Sequence, residues 1–520
     1  MSHTPRPLIA LRADASASIG VGHIKRSVSL AKALQAAGCE TLLLSRPSDV
    51  AHAIATPAGV RHAMLTGLAA GDIGNDDASA DARATIDALR GLAPAWVIVD
   101  HYSLGADWHR AVADALGTRI GVIDDLGNRT LATELLIDHN LDTDHRTKYA
   151  ACLDQGATTA MLCGPRFALL GPAFADAAPN AIEHPVRSIG IFVGGADAAG
   201  ISIAAAEGCR THAGFTGLIE IATTRFNPQL TALRAWCEAD AAASLSVDQP
   251  DLAAFFGRHG LHVGAGGGAT WERCRVGAPT LALCCAANQL AVIPTLAAIG
   301  VVATPTPTHA LDAASIGRAV ACLLGDAAQR HSMAERSRAL VDGRGAQRVA
   351  VFLNASALQA RRASQADAGL AHRWRNHRTT REASSDTREI DWATHNAWWQ
   401  ASLARDDRLM LIGSVGSIDV GVIRFDLPAD GRAAEVSLYL DPALHGLGLG
   451  GRLLSAGERE LHALHPAAVS AGVDATVRAD NAASQRMFSA AGYTRCGDTV
   501  WHKADVTNNV AGASAAKDFA

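Results

Sequence analysis

The chain has 520 residues, of which 49% are hydrophobic and 19% charged, and its formal net charge is −5. Such a length calls for several domains with separate cores, and the mild acidity gives no reason to expect nucleic acid, since phosphate backbones demand basic surfaces. No apolar run is long enough to cross a bilayer, and the opening MSHTPRPLIALRAD lacks the pattern of a secretory signal, so a cytoplasmic protein without a membrane span is expected. Ten scattered cysteines without a CxxC read as small buried hydrophobes, not as a metal or disulfide frame.

From Pro7 the pattern is an apolar strand (LIALRAD), a glycine loop, and a helix with Ile24, Val28, Ala31 and Leu34 at helical spacing. Gly38 and a strand TLLLS at 41–45 follow. Apolar runs recur at WVIVD (96–100), IGVIDD (120–125) and ELLIDHN (134–140), and acidic residues stand at their carboxyl ends. This alternation predicts a parallel, doubly wound sheet whose loops carry the site. A second series opens with SIGIFVGGAD, continues through GLIEIATT and GLHVGAGGGATWERCRVGAPTLALCC, and closes near residue 355. Two Rossmann-like halves with a cleft between them describe the GT-B arrangement of nucleotide-sugar enzymes.

After residue 370 the composition changes. Trp374, Trp392, Trp398 and Trp399 cluster, RLMLIGSVGSIDVGVIRFD reads as two strands joined by a turn, and AEVSLYLD (434–441) runs into a glycine loop that opens an amphipathic helix. The expected division is 1–180 and 181–355 for the two halves, 356–369 for a linker, 370–503 for a third α/β domain, and 504–520 for a disordered tail.

Within SIGVGHIKRS (18–27), glycines allow a close backbone approach and the helix start offers N–H groups to an anion. Alone, this is equally a tight turn with a capping histidine. Arg12 and Asp14 at the strand end and Arg26 one turn beyond His23 favour a site, because an imidazole beside a carboxylate is suited to taking a proton from water. In VGAGGGATWERC, four glycines among residues 264–268 precede a helix carrying Glu272. Such a loop suits a diphosphate, and a carboxylate one turn into the helix can accept both hydroxyls of a ribose.

These stretches resemble the UDP-sugar hydrolases of pseudaminic acid biosynthesis (PseG-like), related in fold to MurG-type GT-B glycosyltransferases. The resemblance covers about residues 7–350 and rests on RADASASIGVGHIKR, IVDHYSLGADW, IDDLGNR with LLIDHN, LCGPRFALLGPAF, IFVGGAD, and GGGATWERCRVGAPTLAL with AANQ. It implies that water displaces UDP from UDP-diacetamido-trideoxy-altropyranose at the anomeric carbon without a metal. His23 would be the general base or the water-positioning group, and Asp14 would orient it. Gly20, Gly22, Gly266, Gly267, Gly268 and Thr270 would line the diphosphate, and Glu272 would hold the ribose. Arg12, Arg26, Asp100, His101, Tyr102, Asn288 and Gln289 are further substrate-side candidates, while Asp124 and Asp125 read better as caps.

HGLGLGG (445–451) with NAASQRMFSAAGY (481–493) resembles the GNAT acetyltransferases (PseH-like) over about residues 370–503. This implies an acetyl-CoA site formed by Leu440, His445, Gly446, Gly448, Gly450, Gly451, Asn481 and Ser484. Glu435 would be the base, and HRWRNH (372–377) resembles the first-helix segment of acetyltransferases acting on amino sugars. His445 stands where the family has Gln or Arg. Phe488 stands where many members have the tyrosine that protonates the thiolate, leaving Tyr439, Tyr493 or solvent for that role. The combined expectation is a bifunctional enzyme that N-acetylates a UDP-4-amino sugar and hydrolyses the diacetamido product. The alternatives are a GT-B glycosyltransferase and a nucleotide-sugar-binding protein with a degenerate acetyltransferase module.

Overall fold

A computed structural model describes residues 6–15, 20–71, 77–154, 158–197, 199–430, 432–466 and 470–504. Ser18 and Ile19 of the first glycine loop, and the tail expected to be disordered from residue 505 on, lie outside the described residues. The chain forms two compact units, residues 1–35 with 40–349 and residues 36–39 with 350–520.

The first unit holds two parallel sheets. Strands β1 (Leu8–Ala13), β2 (Glu40–Ser45), β3 (Arg61–Met64), β4 (Trp96–Asp100), β5 (Arg119–Ile123), β6 (Leu135–Asp138) and β7 (Ala160–Cys163) lie in the order β3-β2-β1-β4-β5-β6-β7. Their central strands are apolar on both faces because helices cover both. The order reverses between β1 and β4, where Ala13 pairs with Asp100. A doubly wound sheet opens a crevice at such a reversal, at the carboxyl ends of its strands. Strands β8 (Ser188–Phe192), β9 (Leu218–Thr223), β10 (Ala243–Val247), β11 (Leu261–Ala265) and β12 (Thr280–Leu283) form the second sheet, ordered β10-β9-β8-β11-β12. Its reversal falls between β8 and β11, so the glycine loop after β11 also opens at a switch point.

The second unit is built on a mixed sheet of β13 (Gln359–Arg362), β14 (Arg408–Val415), β15 (Ile418–Asp426), β16 (Ala434–Leu440), β17 (Val473–Thr476), β18 (Thr494–Arg495) and β19 (Val500–Lys503). The order is β13-β14-β15-β16-β17-β19-β18, with β16 and β17 parallel. Two Rossmann-like halves followed by a GNAT-type α/β domain are thus the fold class read from the sequence. The stretch 356–369, expected as a linker, is instead structured. Gln359–Arg362 pairs antiparallel with β14, and Arg361 binds Asp367 at 2.8 and 2.9 Å, which holds this edge strand to the helix that follows. Among the described residues no helix is long and apolar enough to cross a membrane.

Candidate functional site

Because β1 and β4 are neighbours, the helix that follows β1 (Gly22–Ala36) begins over the end of β4. His23 and Arg26, one helical turn apart, both reach Asp100. His23 Nδ1 lies 2.6 Å from Asp100 Oδ1, and Arg26 Nε donates to Asp100 Oδ2 at 2.5 Å while its Nη2 binds Oδ1. Asp100 is buried, which on its own would raise its carboxyl. The charges of Arg26 and then His23 override this and hold it well below the usual carboxylate range. The permanent carboxylate fixes the imidazole through Nδ1 and leaves Nε2 for a reacting partner. Tyr102 meets the His23 ring edge-on at 4.8 Å, and burial, then Asp125, push its phenol up, so it stays protonated. Gly20 has φ +76°, a conformation that glycine adopts freely, and a Cβ at Gly20 or Gly22 would meet nothing within 4 Å.

The geometry corrects several assignments: Asp100, expected on the substrate side, instead holds His23. Asp14 does not orient His23. It stands just past β1 and accepts both ends of the Arg12 guanidinium, at 2.6 and 2.7 Å, and at 2.7 Å the backbone N–H of Arg46, just past β2. Arg12 is fully buried between Asp14 and Asp81, the latter also accepting from Trp108 Nε1, so it holds the scaffold and cannot reach a substrate. Arg26 clamps Asp100 and is a positioning residue. His101 faces the Arg12–Asp14 pair, with Nε2 3.6 Å from Asp14. Its Nδ1 accepts the Ser103 N–H, and burial, then Arg12, lower it to about 4. Asp124 is buried and accepts from Tyr149 and Arg129, whereas Asp125 is half-buried, accepts from Asn140 and faces Tyr102 beside His23.

In the second sheet the loop after β11 runs into the helix Ala269–Val276. Gly266 is needed for packing, since a Cβ there would lie 2.5 Å from Ile293 Cγ1, whereas Gly268 faces open space. Gln289 holds this loop: its Oε1 accepts the N–H groups of Gly266 (3.2 Å) and Cys285 (2.8 Å), which corrects its assignment as a direct substrate contact. Thr270 is buried and its hydroxyl accepts from Arg273, while Asn288 is exposed at the start of the next helix. Glu272 is half-buried, and burial raises its carboxyl against the pull of Lys25 from the first half and of Arg273. The two halves also meet at His139, just past β6, whose ring lies edge-on to Trp271 at 6.4 Å. His139 is buried, its Nδ1 has no hydrogen-bond partner among the described residues, and burial, then Arg26, lower it to about 4. Sequence reasoning did not single it out. The signal was the repeated strand ending, Asp-His-Tyr at 100–102 and Asp-His-Asn at 138–140.

In the second unit β16 and β17 pair only from Ala434 to Val436 and then part. Beyond that point lie Tyr439 and Leu440, then the loop in which Gly446 (φ +82°) and Gly448 (φ +68°) precede the helix Leu449–Leu464. Gly450 packs against Met487, and Gly451 faces open space. His445 follows the short turn Pro442–Leu444. Asn481 caps the helix Ala482–Ala490, its side chain accepting the Ser484 N–H at 3.0 Å. Glu435 is exposed, lies before the strands part, and accepts from Thr476 Oγ1. Of the two tyrosines weighed as the acid, Tyr493 is excluded, since its buried hydroxyl is bound to Glu458 at 2.8 Å and Lys503 holds the other carboxylate oxygen. Tyr439 is kept protonated by burial although Arg375 and Arg424 pull its phenol down. Among the described residues no group of three or more His, Cys, Asp or Glu side chains is arranged to hold a metal ion.

Residues 369–493 match the acetyltransferase (GNAT) family, and this part of the chain is a GNAT acetyltransferase domain following two Rossmann-like halves. Comparison with curated proteins finds no match. Among solved structures the chain is similar to MurG from Acinetobacter baumannii, with 15% identity over 67% of this chain and 99% of that one and a TM-score of 0.47. It is similar to a putative UDP-N-acetylglucosamine 2-epimerase from Listeria monocytogenes at 14% identity, over 68% and 97% of the two chains, with a TM-score of 0.47. It is also similar to aminoglycoside acetyltransferase AAC(6')-Ib in complex with coenzyme A and kanamycin at 18% identity, over 28% and 91%, with a TM-score of 0.24.

Proposed function

We propose that this chain is a bifunctional enzyme of nucleotide-sugar metabolism. Its GNAT domain transfers an acetyl group from acetyl-CoA to the amine of a UDP-4-amino sugar, and its first unit hydrolyses the resulting UDP-diacetamido-trideoxy-altropyranose to the free sugar and UDP. The observation that carries the hydrolase reading is the His23–Asp100–Arg26 cluster at the switch point of the first sheet, beside open glycines.

In this reading a water oxygen attacks the anomeric carbon, the bond from that carbon to the diphosphate oxygen breaks, and the water's proton passes to His23 Nε2. Asp100 stabilises the imidazolium that forms, and Arg26 keeps Asp100 ionised. The departing diphosphate carries away the electron pair and is held by the N–H groups of Gly267 and Gly268, while Glu272 takes the ribose hydroxyls. In the GNAT domain, the acetyl thioester would enter where β16 and β17 part, the amine would attack its carbonyl and pass a proton through water to Glu435, the bond from that carbonyl to sulfur would break, and Tyr439 would protonate the coenzyme A thiolate. The experiment is incubation of the purified protein with a panel of UDP-diacetamido sugars. Release of UDP with the altro isomer is expected, and no release from folded protein with any of them overturns the hydrolase reading.

A further inference from the structure

The glycine loop after β11 is backed by a buried cation to which the mechanism above gives no task. Arg273 stands one turn into the helix Ala269–Val276, is 1% exposed, and turns back towards the helix start. Its Nη2 donates to the Ala265 carbonyl at 2.7 Å and to Thr270 Oγ1 at 3.2 Å. Its Nη1 rests against Gly264, where a Cβ would lie 2.6 Å from it. Nε and Nη1 are buried and have no hydrogen-bond partner among the described residues.

A buried guanidinium is ordinarily answered by carboxylates, as Arg12 is by Asp14 and Asp81. None of the three Arg273 nitrogens meets one among the described residues. Glu272 is the carboxylate whose charge acts on Arg273, and burial raises the Glu272 carboxyl towards its neutral form. Phe256 offers its ring at 5.7 Å, and His262 is kept neutral by burial. The helix adds to the imbalance, because its amino end is the positive end of its dipole. Burial pulls Arg273 down to about 10, so at neutral pH it is still charged.

An unanswered buried charge costs stability, and that cost falls when an anion settles nearby in a medium of low dielectric constant. Four of the five residues at 264–268 are glycines, and Gly268 faces open space. We propose that Arg273 is the electrostatic positioning residue of the diphosphate site: a nucleoside diphosphate supplies its missing counter-charge across the loop backbone, without touching it. The same cation favours departure of the leaving group, because the diphosphate gains a negative charge when its bond to the anomeric carbon breaks. This inference rests on the hydrolase reading, which sets UDP at Gly267 and Gly268, and adds to it the cation that the loop itself lacks.

The test is calorimetric titration of the full-length protein with UDP, UMP and uridine, in three forms. These are the wild type, Arg273→Gln, which keeps a donor for the Ala265 carbonyl without the charge, and Arg273→Lys, which keeps the charge. The wild type is expected to bind UDP more tightly than UMP, and UMP more tightly than uridine. Arg273→Gln is expected to weaken UDP by about 10- to 100-fold, UMP by less, and uridine by no more than about twofold. Its Tm should equal or exceed that of the wild type, since a buried unpaired charge has been removed, and Arg273→Lys should recover most of the UDP affinity. Unchanged UDP affinity in Arg273→Gln, equal weakening of all three ligands, or loss of its fold makes Arg273 a structural residue and overturns the inference while nucleotide binding stands. A folded wild type that binds none of the three overturns the placement of UDP and the inference with it.

Discussion

His23 and Asp100 stand 77 residues apart in the chain and 2.6 Å apart in space, joined through Nδ1 of the imidazole and one carboxylate oxygen. The contact exists because β1 and β4 are adjacent at the switch point, which sets the start of one helix over the end of the other strand. Asp100→Asn is expected to lower kcat for UDP release by about 10³- to 10⁴-fold, because the amide no longer stabilises the imidazolium or selects the tautomer. Steady-state kinetics checks this. Asp14→Asn, at a residue that does not touch His23, should act mainly on stability.

Buried imidazoles make the first unit acid-sensitive. His101 and His139 are each lowered by burial from the ordinary 6.5 to about 4, and His109 to about 3. Between about pH 6.5 and pH 4 the unfolded chain therefore binds more protons than the folded one. The stabilisation from keeping these rings neutral is complete above about pH 6.5 and is lost as the pH falls towards 4. Thermal unfolding across that range should show a falling Tm, with a shallower fall in His139→Gln.

The glycine loop separates packing from ligand space. Gly266→Ala would drive a Cβ against Ile293 and move the loop, and should raise the KM for the UDP-sugar and cost about 1–3 kcal/mol of stability. Gly268→Ala meets nothing within 4 Å among the described residues, so it should leave Tm unchanged. Paired kinetics and thermal unfolding of the two variants distinguish these effects.

In the GNAT domain the two tyrosines should behave differently. Tyr439→Phe is expected to lower kcat for acetyl transfer with the KM for acetyl-CoA unchanged. Tyr493→Phe leaves the buried Glu458 with Lys503 alone and should lower Tm by a few degrees without a selective effect on kcat.

The long apolar strands of both parallel sheets were legible because burial on two faces leaves a continuous apolar run, as in WVIVD. Three edge strands, Arg61–Met64, Ala160–Cys163 and Ala243–Val247, leave no clear signal in the sequence, since an edge needs neither length nor an apolar run. Gln359–Arg362, polar and at the sheet edge, reads as linker for the same reason. At the site, residue types were legible but pairings were not. Asp14 is the nearer carboxylate in sequence to His23, but strand order selects Asp100, and strand order is set by tertiary packing. Gln289 looked like a ligand contact because its use of backbone N–H groups 4 and 23 residues away leaves no local pattern.

The central claim is that water, activated at His23, attacks the anomeric carbon. The most direct measurement is turnover of UDP-diacetamido-trideoxy-altropyranose in ¹⁸O-labelled water, with mass analysis of both products. The account predicts one label in the free sugar, none in UDP, and no turnover in His23→Ala that still acetylates a UDP-4-amino sugar. Label in the phosphate of UDP, or unimpaired release by His23→Ala, would contradict it.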